Sequence, residues 1–326
     1  MKIGGQRWIW ITAVASSVVL VAFVLSLVDW QLAEQVVAGA NRPLILVGVG
    51  LLALEGFLTA ARFKLLSTKE ASYAQCLRAS GWYVLLLLAL PARLGEVAGV
   101  GTMVRYMGQR TGDSIVNLFL QRVFDVLTLG AMFCGVCVQS LSGAQLGLAL
   151  TSAALIMTAL IVSVIYLAEI IALVASFLVR FRERKFGRVM LKVLLQARRS
   201  VKHHLDFITT VKLIALTMAK WLFILTAIAC VVLAVTPALN IVTALGVGIA
   251  YNLAAVIPLQ TIGGAGISEV VLLGSFKWLG YAASTGATLA IAIRLSLLVG
   301  PILFGFAVLI YFEVFNYAKT LAVSDG

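Results

Sequence analysis

The chain has 326 residues, of which 62% are apolar and 12% charged, and its mean hydropathy is +1.08. That composition excludes a soluble globular protein of this length and leaves little room for a separate catalytic or nucleotide-binding domain. The formal net charge of +12 does not imply nucleic acid, because the bases gather beside apolar stretches, where an excess of Lys and Arg marks the cytoplasmic side of a membrane.

A transmembrane helix needs about 20 apolar residues, and the elements are expected as follows. Lys2 and Arg7 precede the apolar run Trp8–Val28, which is too long for a signal-peptide core and lacks a clear small-residue cleavage site. It is expected to stay as a first span with its N-terminus inside. Leu44–Ala61 reads as the second span. Gly81–Leu90 and Leu94–Tyr106 are each too short to cross, and Pro91 separates them. They read as the arms of a re-entrant hairpin. Ser114–Gln139 and Ala144–Val179 follow as spans, the latter long enough to tilt or to end as an interfacial helix beyond Glu169. The polar stretch from Arg180 to Asp206 carries Arg180, Arg182, Arg184, Lys185, Arg188, Lys192, Arg198, Arg199 and Lys202 against the single acid Glu183, and reads as a basic cytoplasmic loop. Val211–Val235 and Thr285–Ile310 are further spans, with Pro301 kinking the last. Between them, Ile241–Ile257 and Ile267–Leu279 flank a second glycine-rich break.

Loop charges agree with alternation only if residues 81–106 return to the side they left. Asp29–Arg42 is acidic on balance and outside; Arg62, Lys64, Lys69 and Arg78 are inside, as is the basic loop. The fold class expected is an all-α polytopic membrane protein with about six full spans and two re-entrant helical hairpins in an inverted repeat. It forms one integral membrane domain over residues 1–326. Within it, 1–43 is the first span and outer loop, 44–139 one repeat half, 140–179 the connecting span, 180–210 the basic loop, 211–311 the other half and 312–326 a tail. The two halves run in opposite orientation, a recurrent transporter plan in which broken helices carry the site.

The candidate site rests on two matched segments. The first reads Leu90-Pro91-Ala92-Arg93-Leu94-Gly95-Glu96, followed by Arg122; the second runs from Ile257-Pro258 through Gly263-Gly264-Ala265-Gly266-Ile267-Ser268-Glu269, followed by Arg294. The glutamate-to-arginine separations are 26 and 25 positions, 96 to 122 and 269 to 294. Broken helices expose backbone N–H groups and partial positive charge that suit an anion, and the glycines permit tight turns and close approach. An arginine deep in a span must pair with a carboxylate, a carbonyl or a substrate oxyanion. The substrate-binding set is therefore Arg93, Glu96, Arg122, Asp125, Glu269 and Arg294, with Pro91, Gly95, Pro258, Gly263, Gly264 and Gly266 shaping the hairpin backbone. Two readings stay open: the pairs hold each hairpin to its span, or they bind substrate. Asp125 lies one turn from Arg122 and is either part of the site or only its local partner.

Other groups carry less. Lys220 is expected to snorkel from its span toward the inside. Cys134 and Cys137 form a C-x-x-C within an apolar helix without ligand-rich neighbours, and His203 and His204 fall outside any metal-ligand spacing. No H-E-x-x-H, P-loop or nucleophile elbow is present. Neither enzymatic activity, a cofactor nor a metal is expected. Arg180, Arg182, Arg184, Lys185 and Arg188 set the topology and also offer anionic lipid head groups a surface, each base adding on the order of 1 kcal/mol.

The chain resembles the flippase-like membrane domain of lysylphosphatidylglycerol synthases and stand-alone relatives of that domain. The likeness is carried by Pro91-Ala92-Arg93-Leu94-Gly95-Glu96, by Gln121-Arg122-Val123-Phe124-Asp125, and by the segment from Ile257-Pro258 to Ser268-Glu269 with Arg294, and it extends over nearly the whole chain. Gln121 stands where the family usually has Glu, which removes one charge. The resemblance covers the transport half only, so lipid aminoacylation is not implied. It implies movement of an anionic, aminoacylated or isoprenoid-linked lipid between leaflets, and the localisation expected is a prokaryotic plasma (inner) membrane with both termini cytoplasmic. The partners expected are membrane lipids, anionic head groups at the basic loop and lipid- or glycan-synthesis enzymes, and no nucleic acid. The alternatives are an ion-coupled carrier of a small anionic solute and a non-transporting subunit of a lipid or glycan assembly system.

Overall fold

A computed structural model describes residues 18–90, 94–140, 143–180, 185–204, 206–253, 261 and 264–324, and every regular element among them is helical. In chain order these are α1 (Val18–Ser26), α2 (Trp30–Gly39), α3 (Arg42–Leu65), α4 (Tyr73–Ala89), α5 (Leu94–Met107), α6 (Thr111–Ser140), α7 (Gly143–Ile165), α8 (Leu167–Val179), α9 (Lys185–His204), α10 (Phe207–Val235), α11 (Ile241–Leu253), α12 (Ile267–Trp278) and α13 (Ala283–Ser324). With lipid rather than water outside, a chain this apolar must satisfy its backbone internally, which helices alone do segment by segment.

Among the described residues, four helices are long and apolar enough to cross a membrane: Arg42–Leu65, Thr111–Gln139, Phe207–Val235 and Ala283–Glu313. Val18–Ser26 and Trp30–Gly39 qualify together as a fifth, bent by 87° at their junction. Asp29 causes the bend to persist: its carboxylate Oδ1 accepts from Gln31 and Leu32 N–H at 3.1 Å each, capping α2. The expected first span, Trp8–Val28, is thus described only from residue 18 and turns away before Trp30. The expected connecting span Ala144–Val179 is two helices, meeting at Tyr166, which leaves helical geometry with φ −93° and ψ 8°.

The stretch read as a basic loop is largely the 20-residue helix α9. Its apolar positions recur at helical spacing, so Ala197 and Val201 reach a core with Leu66, Val116, Leu120, Phe124 and Leu213 while Arg188, Lys192 and Arg199 stay exposed. Charge count hid an amphipathic period. Asp206 caps the next helix by accepting from Thr209 N–H at 3.1 Å; hydrogen bonding to Thr209 holds its carboxyl below the ordinary range.

The chain forms two compact units. One comprises residues 1–56, 81–98 and 222–326; its core joins Leu52, Ile228, Val231, Val232, Val247, Leu272, Phe276, Leu289 and Ile293. The other comprises residues 57–80 and 99–221 and holds the core described around α9.

A candidate anion site at two broken helices

Both breaks restart as helices. Glu96 lies in the first turn of α5 and Glu269 in the first turn of α12. Pro91, Arg93, Pro258 and Gly263 lie outside the described residues, and so do Arg182 and Arg184. At the first break α4 and α5 fold back on one another. A Cβ on Gly95 would stand 2.7 Å from Leu87 Cα and 2.8 Å from the Leu86 carbonyl oxygen, so only glycine lets the two backbones approach this closely. Farther along, the Arg78 guanidinium stacks over the Tyr106 ring at 4.6 Å, so the arm expected from Gly81 begins earlier, at Tyr73.

The second break builds a compact charged site. Gly264 and Gly266 take φ +76° and +90°, conformations that cost little only for glycine, and Leu20 of α1 packs where a Gly266 Cβ would be. Glu269, 5% exposed, turns back so that its Oε2 accepts from the Gly266 N–H at 2.6 Å, the carboxylate half of a capping box. Arg294 comes from α13, about 16 Å along it at helical rise, and is 8% exposed. Its Nε stands 3.6 Å from Glu269 Oε1, its Nη1 donates to the Tyr251 hydroxyl of α11, and its guanidinium faces the Tyr251 ring. A Cβ on Gly264 would lie 3.7 Å from Arg294 Nη2. The pairing expected between Glu269 and Arg294 is present as an ion pair, but too long to be a hydrogen bond.

Around Asp125 the structure assembles more than the sequence suggested. Asp125 Oδ1 accepts from Arg62 Nη1 at 2.8 Å and from Trp221 Nε1 at 3.1 Å. Its Oδ2 lies 3.6 Å from Lys220 Nζ and 3.8 Å from Arg122 Nη1. Arg62, read as a loop base, is instead completely buried, and its Nη2 donates to the Gln121 carbonyl at 2.9 Å. Lys220 does not snorkel away: its side chain is 12% exposed and turns to Asp125. Arg122, expected to be deep, is the open member, with 42% of its side chain exposed. The missed residues, Arg62, Lys220 and Trp221, come from α3 and α10. Their signal was an arginine inside the last turn of an apolar helix and a Lys-Trp pair within a span, each of which needs a polar partner.

Gln121 has a directional role. Asn117 Nδ2 donates to the Phe63 and Leu66 carbonyls at 3.3 and 2.9 Å, which satisfies the end of α3. That leaves Asn117 Oδ1 as an acceptor, and Gln121 Nε2 donates to it at 2.6 Å. An amide fills this place and a carboxylate would not.

On the remaining predicted contacts, Arg180 and Arg188 are exposed, the former at the end of α8 and the latter on α9, which Lys185 opens. A family model described as the lysylphosphatidylglycerol synthase TM region matches residues 10–305, and no curated protein or solved structure matches the chain. A match of that extent takes in both broken helices and both charged clusters, and the chain belongs to the lysylphosphatidylglycerol synthase transmembrane-region family, a lipid-related family of membrane proteins.

Proposed function

We propose that this protein is a lipid translocase of the flippase type, not an enzyme, and that it moves an anionic, aminoacylated or isoprenoid-linked lipid between leaflets. The observation that carries the reading is the Glu269–Arg294 site. A buried guanidinium sits at the restarted end of a short helix inside apolar sequence, held by a tyrosine and a carboxylate at 3.6 Å. An arginine in such surroundings exchanges one oxyanion for another at little net desolvation, because phosphate replaces carboxylate as the counter-charge. The helix N-terminus adds first-turn backbone N–H groups that no intrahelical carbonyl takes up. In this reading Arg122, beside Asp125, offers a second and more open phosphate contact, with Arg93 and Glu96 near the first break.

The membrane arrangement belongs to the same proposal. The chain crosses a prokaryotic inner membrane about six times with both termini cytoplasmic, each broken helix pair re-enters, and residues 44–139 and 211–311 are an inverted repeat. Arg180, Arg182, Arg184, Lys185 and Arg188 then meet anionic head groups, with lipid- or glycan-synthesis enzymes as partners.

The test is transbilayer movement of labelled anionic and zwitterionic lipids in proteoliposomes, for the wild type and an Arg122→Ala/Arg294→Ala variant. Movement that the double variant loses is the expected result. Wild-type rates in the variant, or no movement by the wild type with or without a proton gradient, would overturn the proposal.

A further inference from the structure

We propose a separate phosphate-binding site at the N-terminus of α6, formed by Lys69, Arg110 and Arg199 with the Ser200 hydroxyl. These residues, with Thr68 and Asp113, line a cavity of about 290 Å³. Asp113 precedes Asp125 on α6 by twelve residues, about 18 Å at helical rise, so the cavity is distinct from the Asp125 cluster.

Three parts of the chain build it. The turn after α3 brings Thr68 and Lys69, the turn before α6 brings Arg110, and α9 brings Arg199 and Ser200. Gly112 lets α9 close over the start of α6, since a Cβ there would lie 2.6 Å from the Val193 carbonyl oxygen and 2.6 Å from Gln196 Cβ. The 30-residue α6 presents its first-turn N–H groups, which no intrahelical carbonyl takes up, and its positive dipole end.

The charges point to an anion. Lys69, Arg110 and Arg199 are exposed, and among the described residues none has an ion-pair partner. The one acid, Asp113, is 8% exposed and its Oδ2 accepts from Thr68 Oγ1 at 2.9 Å; it positions that hydroxyl and is outnumbered by the three cations. An independent observation comes from Ser200. It is 1% exposed, and its Oγ has no hydrogen-bond partner. A buried hydroxyl without a partner is unfavourable, and a ligand oxygen in the cavity supplies the missing contact. Arginines, a lysine, a hydroxyl and helix-terminal amides together match a phosphate. The volume sits near the lower end of the ~300–1,000 Å³ typical of small-ligand sites, enough for a head group but not for acyl chains.

The phosphate belongs either to an anionic lipid or to a soluble ester, and one set of variants separates these sources. Purified full-length protein is titrated with inorganic phosphate and glycerol 3-phosphate by calorimetry. Phosphatidylglycerol against phosphatidylcholine is followed by native mass spectrometry. Saturable binding that weakens at least tenfold in Arg110→Gln/Arg199→Gln is expected, with a smaller, few-fold loss in Ser200→Ala. A control that removes two exposed charges elsewhere, Arg42→Gln/Lys212→Gln, should bind like the wild type. Such a pattern with phosphatidylglycerol assigns a lipid phosphate, and with the soluble esters a free one. Equal losses in the test and control variants, no loss in either, or no saturable binding of any probe would overturn the site.

Discussion

The Asp125 and Glu269 carboxylates are both buried and both face arginine, yet they are held in opposite ways. Asp125 takes two short hydrogen bonds from other helices, Arg62 of α3 and Trp221 of α10, and so ties three helices together. Glu269 is fixed mainly by its own chain, through the Gly266 N–H, and meets Arg294 only at 3.6 Å. A carboxylate saturated by donors from several elements is part of the frame, since removing it strands charges that cannot reach water. A carboxylate anchored by a local cap leaves its arginine able to take another oxyanion without moving the helix. Asp125 thus carries structural weight, whereas under the proposed lipid translocation Arg294 is the arginine that meets substrate; Arg122, with 42% of its side chain exposed, is the open edge of the first cluster.

The largest effect is expected where the frame is broken. Asp125→Asn keeps the size but leaves Arg62 fully buried beside a neutral group, at a cost of about 3–5 kcal/mol. Thermal unfolding in detergent and size-exclusion profiles should show a large loss of folded protein. Replacing both partners, Arg62→Met with Asp125→Leu, should recover much of that loss. A single variant as stable as the wild type would dissolve the distinction between the two sites.

The isosteric change at the other site should separate folding from function. Glu269→Gln retains an oxygen able to accept from Gly266 N–H, so folding should change by no more than about 1 kcal/mol. Lipid movement should fall ten- to a hundredfold, the equivalent of the ~1.5–3 kcal/mol of a charged contact. Unfolding on the scale of Asp125→Asn would instead make Glu269 part of the frame.

Gln121→Glu sharpens the comparison from within the first cluster. The change sets a carboxylate oxygen against Asn117 Oδ1, where the amide now donates at 2.6 Å. If Asn117 turned to compensate, the α3 carbonyls would lose their donor. A loss of about 1–2 kcal/mol is expected, measured by the same unfolding experiment. A more stable variant would show that the amide chain does not run in the direction described.

The helical class, the two broken helices and the Glu269–Arg294 pairing were legible because each violates a rule of apolar sequence: proline and glycine interrupt it, and charge enters it. What was not legible depended on three-dimensional register. Arg62 sits at the polar end of an apolar helix and so reads as a topology marker, although the helix continues to Leu65 and carries the side chain inward. Lys220 could reach either solvent or Asp125, and only the rotation of α10 decides between them. α9 was hidden because six Lys and Arg residues dominate its composition, while burial there follows period and not average polarity. Tyr166 divides α7 from α8 without a proline or glycine to announce it, so length suggested either one tilted span or an interfacial helix beyond Glu169, and could not place the break at Tyr166.

Trp221 supplies the smallest test, and a clean one. Its indole N–H donates to the same Asp125 oxygen that Arg62 engages, and the residue is 8% exposed. Trp221→Phe removes that donor and leaves most of the aromatic packing, so about 0.5–1.5 kcal/mol should be lost. In an Asp125→Asn background the same change should cost measurably less, because the bond to a charged acceptor has already gone. That difference is the coupling between α6 and α10 through one oxygen atom. Equal costs in both backgrounds would mean that Trp221 acts through packing alone, and the tie from α10 to Asp125 would then rest on Lys220 at 3.6 Å.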